Sequence, residues 1–273
     1  IMKQQHLNQE QKKSYQNFER SNMKKFILFF AFYILHFSVF AQKDYTSLVN
    51  PFIGTGGHGH TYPGASVPFG MMQLSPDTRG ADWDGSSGYH YSDSLIYGFS
   101  HTHLSGTGIP DYCDVLFMPF VGDVKWDSKD YRSTFSHNNE KATPGYYEVL
   151  LDKDKIKAQL TTSVRSGMHQ YTLPQTAKDG SILVYFKWRD EVLESWIEKV
   201  YAYVFRGLRR SKSWAQNQIL YFDIKFEKPI KDYSVLNDEG KLLNDSKVSG
   251  KNLKLAVRFN LSSDKIVRAK VGI

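Results

Sequence analysis

The stretch LYFDIKFE, residues 220–227, sets Leu220, Phe222, Ile224 and Phe226 against Tyr221, Asp223, Lys225 and Glu227. Successive side chains of an extended chain point to opposite faces, so this period of two predicts a strand with one apolar and one wet face. Leu253, Leu255, Val257, Phe259 and Leu261 repeat the alternation against Lys254, Ala256, Arg258 and Asn260. Leu160, Thr162, Val164 and Met168 repeat it less regularly. Residues 115–121 and 182–188 are nearly continuous apolar runs, as expected of strands covered on both faces. Thr143-Pro144-Gly145, Lys178-Asp179-Gly180 and Asn237-Asp238-Glu239-Gly240 read as turns between these segments. Many punctuated strands with no long helical period predict an all-β fold, a large antiparallel β-sandwich.

Ahead of the sandwich the sequence has a different character. Residues 23–41, MKKFILFFAFYILHFSVFA, carry two lysines, an apolar run broken by His36 and Ser38, and small residues at Val39 and Ala41. That is the pattern of a signal peptide, and the run is shorter than the roughly 20 apolar residues a spanning helix needs. Residues 1–22 are polar and rich in Gln and Lys, and are expected to be an untranslated or disordered extension. Residues 42–273 then form the sandwich domain. No cysteine follows the cleavage pattern, so the expected product is periplasmic or secreted, with no membrane attachment after cleavage.

The formal charge of +7 on 273 residues is concentrated at the start of the chain. Residues 1–41 hold 6 Lys/Arg and 2 Asp/Glu, which leaves 29 against 26, or +3, for the remainder. Apart from Arg206, Arg209, Arg210 and Lys212, basic residues are interspersed with acidic ones, so no phosphate-tracking stripe is visible and nucleic acid is not an expected partner. The single cysteine, Cys113, excludes an intrachain disulfide and a Cys-rich zinc site, and reads as a small buried residue.

Residues 44–112 are rich in Gly, His, Ser, Thr and Pro, which predicts long ordered loops laid over strands. The run GTGGHG at 54–59 fits the glycine spacing of a dinucleotide fingerprint, but Pro51, Pro63 and Pro68 leave no helix to receive a pyrophosphate. A tight loop with positive φ is the expectation. His58, His60, His90, His101 and His103 crowd into this region. Each His-x-His pair could turn two imidazoles to one side of an extended segment, with Asp82, Asp84, Asp93, Asp111 or Asp114 completing a metal site. No specific ligand spacing such as H-E-x-x-H accompanies the pairs, so hydrogen bonding within loops or to sugar hydroxyls is the preferred reading and no metal site is assigned. The segment DWDGSSGYHY, 82–91, mixes aromatics with carboxylates, which suits a pyranose face and its hydroxyls but equally suits loop-anchoring core residues. Asp82 with Asp84, and Asp111 with Asp114, are candidate acid/base pairs by proximity alone.

Two long runs, VNPFIGTGGHGHTYPGASVPFGMMQLSPDTR at 49–79 and DWDGSSGYHYSDSLIYGFSHTHLSGTG at 82–108, resemble the opening of glycoside hydrolase family 92 α-mannosidases. DYCDVLFMPF at 111–120, RDEVLESWIE at 189–198, RRSKSWAQNQILYFDIKF at 209–226 and VRAKVGI at 267–273 extend the resemblance. Residues 199–205 read as an aromatic, β-branched insert within it. The resemblance implies a supersandwich-like N-terminal domain packed against a C-terminal (α/α)6 catalytic barrel, in a calcium-dependent, inverting exo-α-mannosidase acting on N-glycans or mannans. The barrel would hold the general acid, the general base and most of the calcium environment, and it lies outside residues 1–273. A truncated portion, inactive alone and binding no cofactor of its own, is therefore expected; the alternative is a stand-alone mannose-binding module. By motif position, Trp83, Asp84 and Gly85 are the implied sugar contacts, and His58, His60, His101 and His103 are implied to shape the pocket rim.

Overall fold

The computed structural model describes residues 2–36, 43–262 and 264–273, in two units, Ile1–Tyr45 and Thr46–Ile273. The first unit contains one helix, Met2–His36, which runs through the expected boundary between the extension and the signal peptide. The expected cleavage site at residues 39–41 lies outside the described residues. No described helix is long and apolar enough to cross a membrane.

The second unit is an antiparallel β-sandwich. One sheet has eight strands, in the order Ala65–Ser66, Gln73–Asp77, Gly98–Ser100, Leu116–Val121, Asp179–Tyr185, Lys254–Asn260, Asp232–Leu236 and Leu242–Leu243. The other has nine, in the order Lys247–Gly250, Glu191–Tyr201, Val204–Lys212, Gln218–Phe226, Ile266–Gly272, Ser166–Thr172, Ile156–Thr162, Tyr146–Leu151 and Glu140–Thr143. Rings join the sheets across the core: Phe99 meets Tyr171 at 6.1 Å, Phe186 meets Phe222 at 5.5 Å, and Phe226 meets Phe259 at 5.2 Å between centroids. Each such buried ring contributes about 1.5–3 kcal/mol through the water it excludes.

The strand Gln218–Phe226 buries Leu220, Phe222, Ile224 and Phe226 and exposes Tyr221, Asp223 and Lys225, as its alternation predicts. Three local expectations change. Residues 160–168 are a hairpin, not one strand: Ser163 N donates to Ser166 O at 2.8 Å, and Val164 is exposed at the turn. Asp179 and Gly180 begin a strand, and the turn lies earlier, where Ala177 N donates to Pro174 O. Ala256, expected on a wet face, is buried, with Val124, Trp126 and Leu242 around the same cavity. Residues 199–205, expected to be an insert, form the tip of a long hairpin, Glu191–Tyr201 with Val204–Lys212. Register shifts between Val192 and Glu194 and between Lys199 and Tyr201 interrupt the period of two, which hides this hairpin from a pattern search.

The hairpin also disperses the basic cluster. Arg206 pairs with Asp223 at 2.8 Å, Arg210 Nε donates to Asn217 Oδ1, Lys212 pairs with Glu191, and Arg209 turns inward to become fully buried.

Candidate functional site

Glycine chemistry builds the first wall of the site. Gly54 and Gly57 have φ of +81° and +56°, and a Cβ on Gly59 would lie 2.1 Å from the Gly54 carbonyl oxygen, so GTGGHG closes as a tight loop with no helix behind it. Its far end is held by His90, whose Nε2 donates to Gly57 O at 3.1 Å while its Nδ1 faces Ser92 Oγ at 2.8 Å. The loop carries His58 outward and turns His60 inward, where φ is +54° and the side chain is almost fully buried.

The second wall is the DWDG turn. Asp82 Oδ1 accepts from Gly85 N at 2.6 Å, and Ser86 N donates to Trp83 O, which folds the segment back on itself and leaves Trp83 61% exposed. Arg189 fixes this turn from beneath. Its guanidinium is buried and donates to the carbonyls of Ser86 at 2.8 Å, Gly85 at 2.6 Å and Gly80 at 2.7 Å. Nothing in the sequence distinguishes Arg189 from other arginines; its role depends on being brought from 103 residues away.

The walls meet at two contacts. His58 Nδ1 lies 2.5 Å from Asp84 Oδ1, and that hydrogen bond holds the Asp84 carboxyl below its ordinary range. The His60 ring stands edge-on to Trp83, with centroids 4.7 Å apart and planes at 86°. Gly108, with φ +65°, passes so close that a Cβ there would lie 2.7 Å from the indole. A flat apolar ring thus stands beside a carboxylate and two imidazoles, which can pack against a pyranose face while hydrogen-bonding its hydroxyls.

Trp83, Asp84, Gly85, His58 and His60 therefore come together. His101 and His103 do not line the rim expected of them, because both side chains are needed inside the fold. His101 is fully buried between the sheets, with Nδ1 2.8 Å from Val115 O and Nε2 2.9 Å from His169 Nε2. His103 is buried below the loops, with Nδ1 2.7 Å from Gln73 O and its ring against Tyr62.

Residues 48–273 match the N-terminal domain of glycosyl hydrolase family 92. The chain belongs to this family. It is 36% identical to the family 92 α-mannosidase BT3965 of Bacteroides thetaiotaomicron, whose structure was determined with mannoimidazole, over 83% of this chain and 32% of that one, with a TM-score of 0.77. With the inverting mannosidase BT2199 of the same organism it shares 26% identity over 85% of its length and 31% of the relative's, at a TM-score of 0.72. A secreted glycosidase of Arthroderma benhamiae, itself uncharacterized, is 29% identical over 143 residues, 49% of this chain and 18% of that protein. This family 92 chain thus spans about a third of the length of the solved mannosidases it matches.

The clusters of His, Cys, Asp and Glu among the described residues do not suit the calcium implied by the resemblance. Calcium takes six to eight oxygen donors. The described three-residue clusters with suitable geometry are His58, His60 and Asp84, and Asp77, His103 and Cys113, in which nitrogen and sulfur predominate.

Proposed function

We propose that this chain is the N-terminal portion of an exported, inverting exo-α-mannosidase, and that Trp83, Asp84, Gly85, His58 and His60 form one side of its mannose-binding site. The observation that carries the reading is Trp83, an exposed indole held on an arginine-braced turn beside Asp84. The α-mannosidase relative solved with mannoimidazole supports a mannoside as the sugar. The apolar run at residues 26–40 and the secreted fungal relative support export, to the periplasm or beyond the cell.

Inverting hydrolysis needs one carboxylic acid for the leaving oxygen and one carboxylate to activate water, set about 6.5–9.5 Å apart. The carboxylates near this site are committed elsewhere. Asp82 caps Gly85 N and Asp84 bonds His58. Asp111 accepts from Trp214 N and Ala215 N, and Asp114 is buried against Arg209. In this reading the acid, the base and the calcium ligands come from the rest of the enzyme.

Exposed Phe69, Met71, Val164, Ile219 and Tyr221 favour a domain that docks on another over a stand-alone mannose-binding module. Met71 N donates to Val164 O, and Met71 and Ile219 line one cavity, so these residues lie close enough to form a patch. The test is mannose release from α-mannobiosides by the chain, with calcium and with chelator. No turnover, with mannoside binding that Trp83→Ala weakens about tenfold, is the expected result. Calcium-dependent turnover would place acid and base within these residues and overturn the reading.

A further inference from the structure

Asp77 ends the strand Gln73–Asp77 and is 0% exposed, yet neither of its carboxylate oxygens meets a well-aligned hydrogen-bond donor, and the nearest it has is the weak thiol of Cys113. A buried carboxylate without a partner is strongly destabilising, so the neighbouring groups must compensate for it. Those neighbours are His103, whose Nε2 is 3.5 Å from Asp77 Oδ1, and Cys113. One ligand atom from each of the three residues lies within 4.8 Å of the others, and all three residues are buried.

The orientation of His103 narrows the possibilities. Its Nδ1 lies 2.7 Å from Gln73 O, and a carbonyl can only accept, so Nδ1 carries a proton. In the neutral ring this turns the Nε2 lone pair toward Asp77 and toward Ser100 Oγ at 3.1 Å. A backbone carbonyl that fixes the tautomer while the other nitrogen faces a carboxylate and a thiol is the arrangement found around protein-bound metal ions. An imidazolium would satisfy one Asp77 oxygen at best, at long range, and would leave the other only the weak thiol donor of Cys113.

The backbone is shaped for the same convergence. Tyr112 and Cys113 have φ of +78° and +52°, a left-handed conformation unfavourable for a non-glycine residue. It is held by Cys113 N donating to Thr102 O and by Asp190 Oδ2 accepting from Tyr112 N. Gly88 seals the other side: a Cβ there would lie 2.5 Å from Asp77 Oδ1 and 2.8 Å from His103 Cδ2.

We propose that Asp77, His103 and Cys113 bind a divalent transition metal of the zinc type as a structural centre buried beneath the sugar-facing loops. The donor set of carboxylate, imidazole and thiolate suits zinc and not calcium or magnesium. Ser100 Oγ or a water would provide the fourth ligand. On binding, the metal takes the thiolate of Cys113 and the thiol proton passes to solvent. The proposal does not depend on the mannoside reading.

Metal content of the whole chain, measured by mass spectrometry after expression with zinc and desalting, should be about one equivalent. Exchange with cobalt(II) should give a thiolate-to-cobalt charge-transfer band in the near ultraviolet, which Cys113→Ser abolishes. If that variant fails to fold, His103→Gln and the wild-type chain still decide the matter. Chelator should lower the melting temperature of the wild type and leave His103→Gln unchanged. A folded wild-type chain, verified by circular dichroism, that carries no metal and gives no cobalt band would overturn the proposal and leave a buried imidazolium–carboxylate pair.

Discussion

His101 Nε2 and His169 Nε2 lie 2.9 Å apart in the core, one ring from each sheet, and every proton between them is fixed by what flanks them. Val115 O can only accept, so His101 carries its proton on Nδ1 and offers Nε2 as acceptor. His169 therefore donates from Nε2, and its Nδ1 accepts from the Tyr171 hydroxyl at 2.8 Å. Charging both rings would set two N–H donors against each other, and charging either one places a cation in the core.

Acid should therefore weaken the fold. Burial pushes His101 down to about 4 and His169 well below its ordinary value, the latter also through His101. Unfolded histidine takes up its proton near 6.5, so between about pH 6.5 and 4 the unfolded chain binds more protons and stability falls with pH. His101 alone should remove about 2 kcal/mol between pH 7 and pH 5, and His169 acts in the same direction. Asp190, which burial raises to about 6, acts in the opposite direction over part of this range. Comparison with His169→Gln cancels that contribution: the wild type should lose more stability between pH 7 and 5 in urea titrations, and equal slopes would contradict the assignment.

Arg209 is a fully buried cation whose guanidinium is satisfied by four acceptors. It donates to Phe186 O at 2.7 Å and Ser211 Oγ at 2.8 Å, and makes short contacts with Asp114 and the Arg189 carbonyl. Arg209→Met should cost about 3–5 kcal/mol, because it strands a buried carboxylate. Asp114→Asn added to it should restore part of the loss, measured as the shift in denaturation midpoint.

Trp83→Ala should leave stability within about 0.5 kcal/mol, since the indole is mostly exposed. Titration calorimetry with methyl α-mannoside should show affinity reduced about tenfold, the equivalent of roughly 1.4 kcal/mol for a lost stacking surface. Equal affinities would remove Trp83 from the sugar site.

Gly108→Ala reaches the same ring by another route. The added methyl would meet Trp83 at 2.7 Å on a backbone with φ +65°, so the indole must turn away. Mannoside affinity should fall as in Trp83→Ala, with a stability cost of about 1–2 kcal/mol from the backbone conformation. Indole displacement is visible as a shift in tryptophan fluorescence.

Arg189→Lys should loosen the DWDG turn while preserving the charge. One ammonium cannot span carbonyls at residues 80, 85 and 86. A loss of about 1.5–3 kcal/mol is expected from the forfeited charged hydrogen bonds, together with weaker mannoside binding. Wild-type affinity in a stable Arg189→Lys variant would show that the turn holds itself.

Much of this architecture was written in periodicity. Leu220, Phe222, Ile224 and Phe226 must share a face in any strand, and one buried face demands a second sheet to cover it. The glycines of GTGGHG, with prolines around them, likewise allow little except a tight loop. The long hairpin ending at Lys212 was not legible, because its bulges reset the period and its inward face includes Arg209.

The histidines divide along the same line. The sequence alone determined that five of them would gather in one loop-rich stretch, and that DWDG would set an indole next to carboxylates along the chain, facing either solvent or the core. Only the tertiary structure decided that His58 and His60 reach Trp83 and Asp84, that His101 crosses to His169, and that His103 turns toward Asp77 and Cys113. The reason is physical: local spacing fixes which way a side chain leaves its own segment, whereas its partner depends on which distant segment the sandwich packs against it.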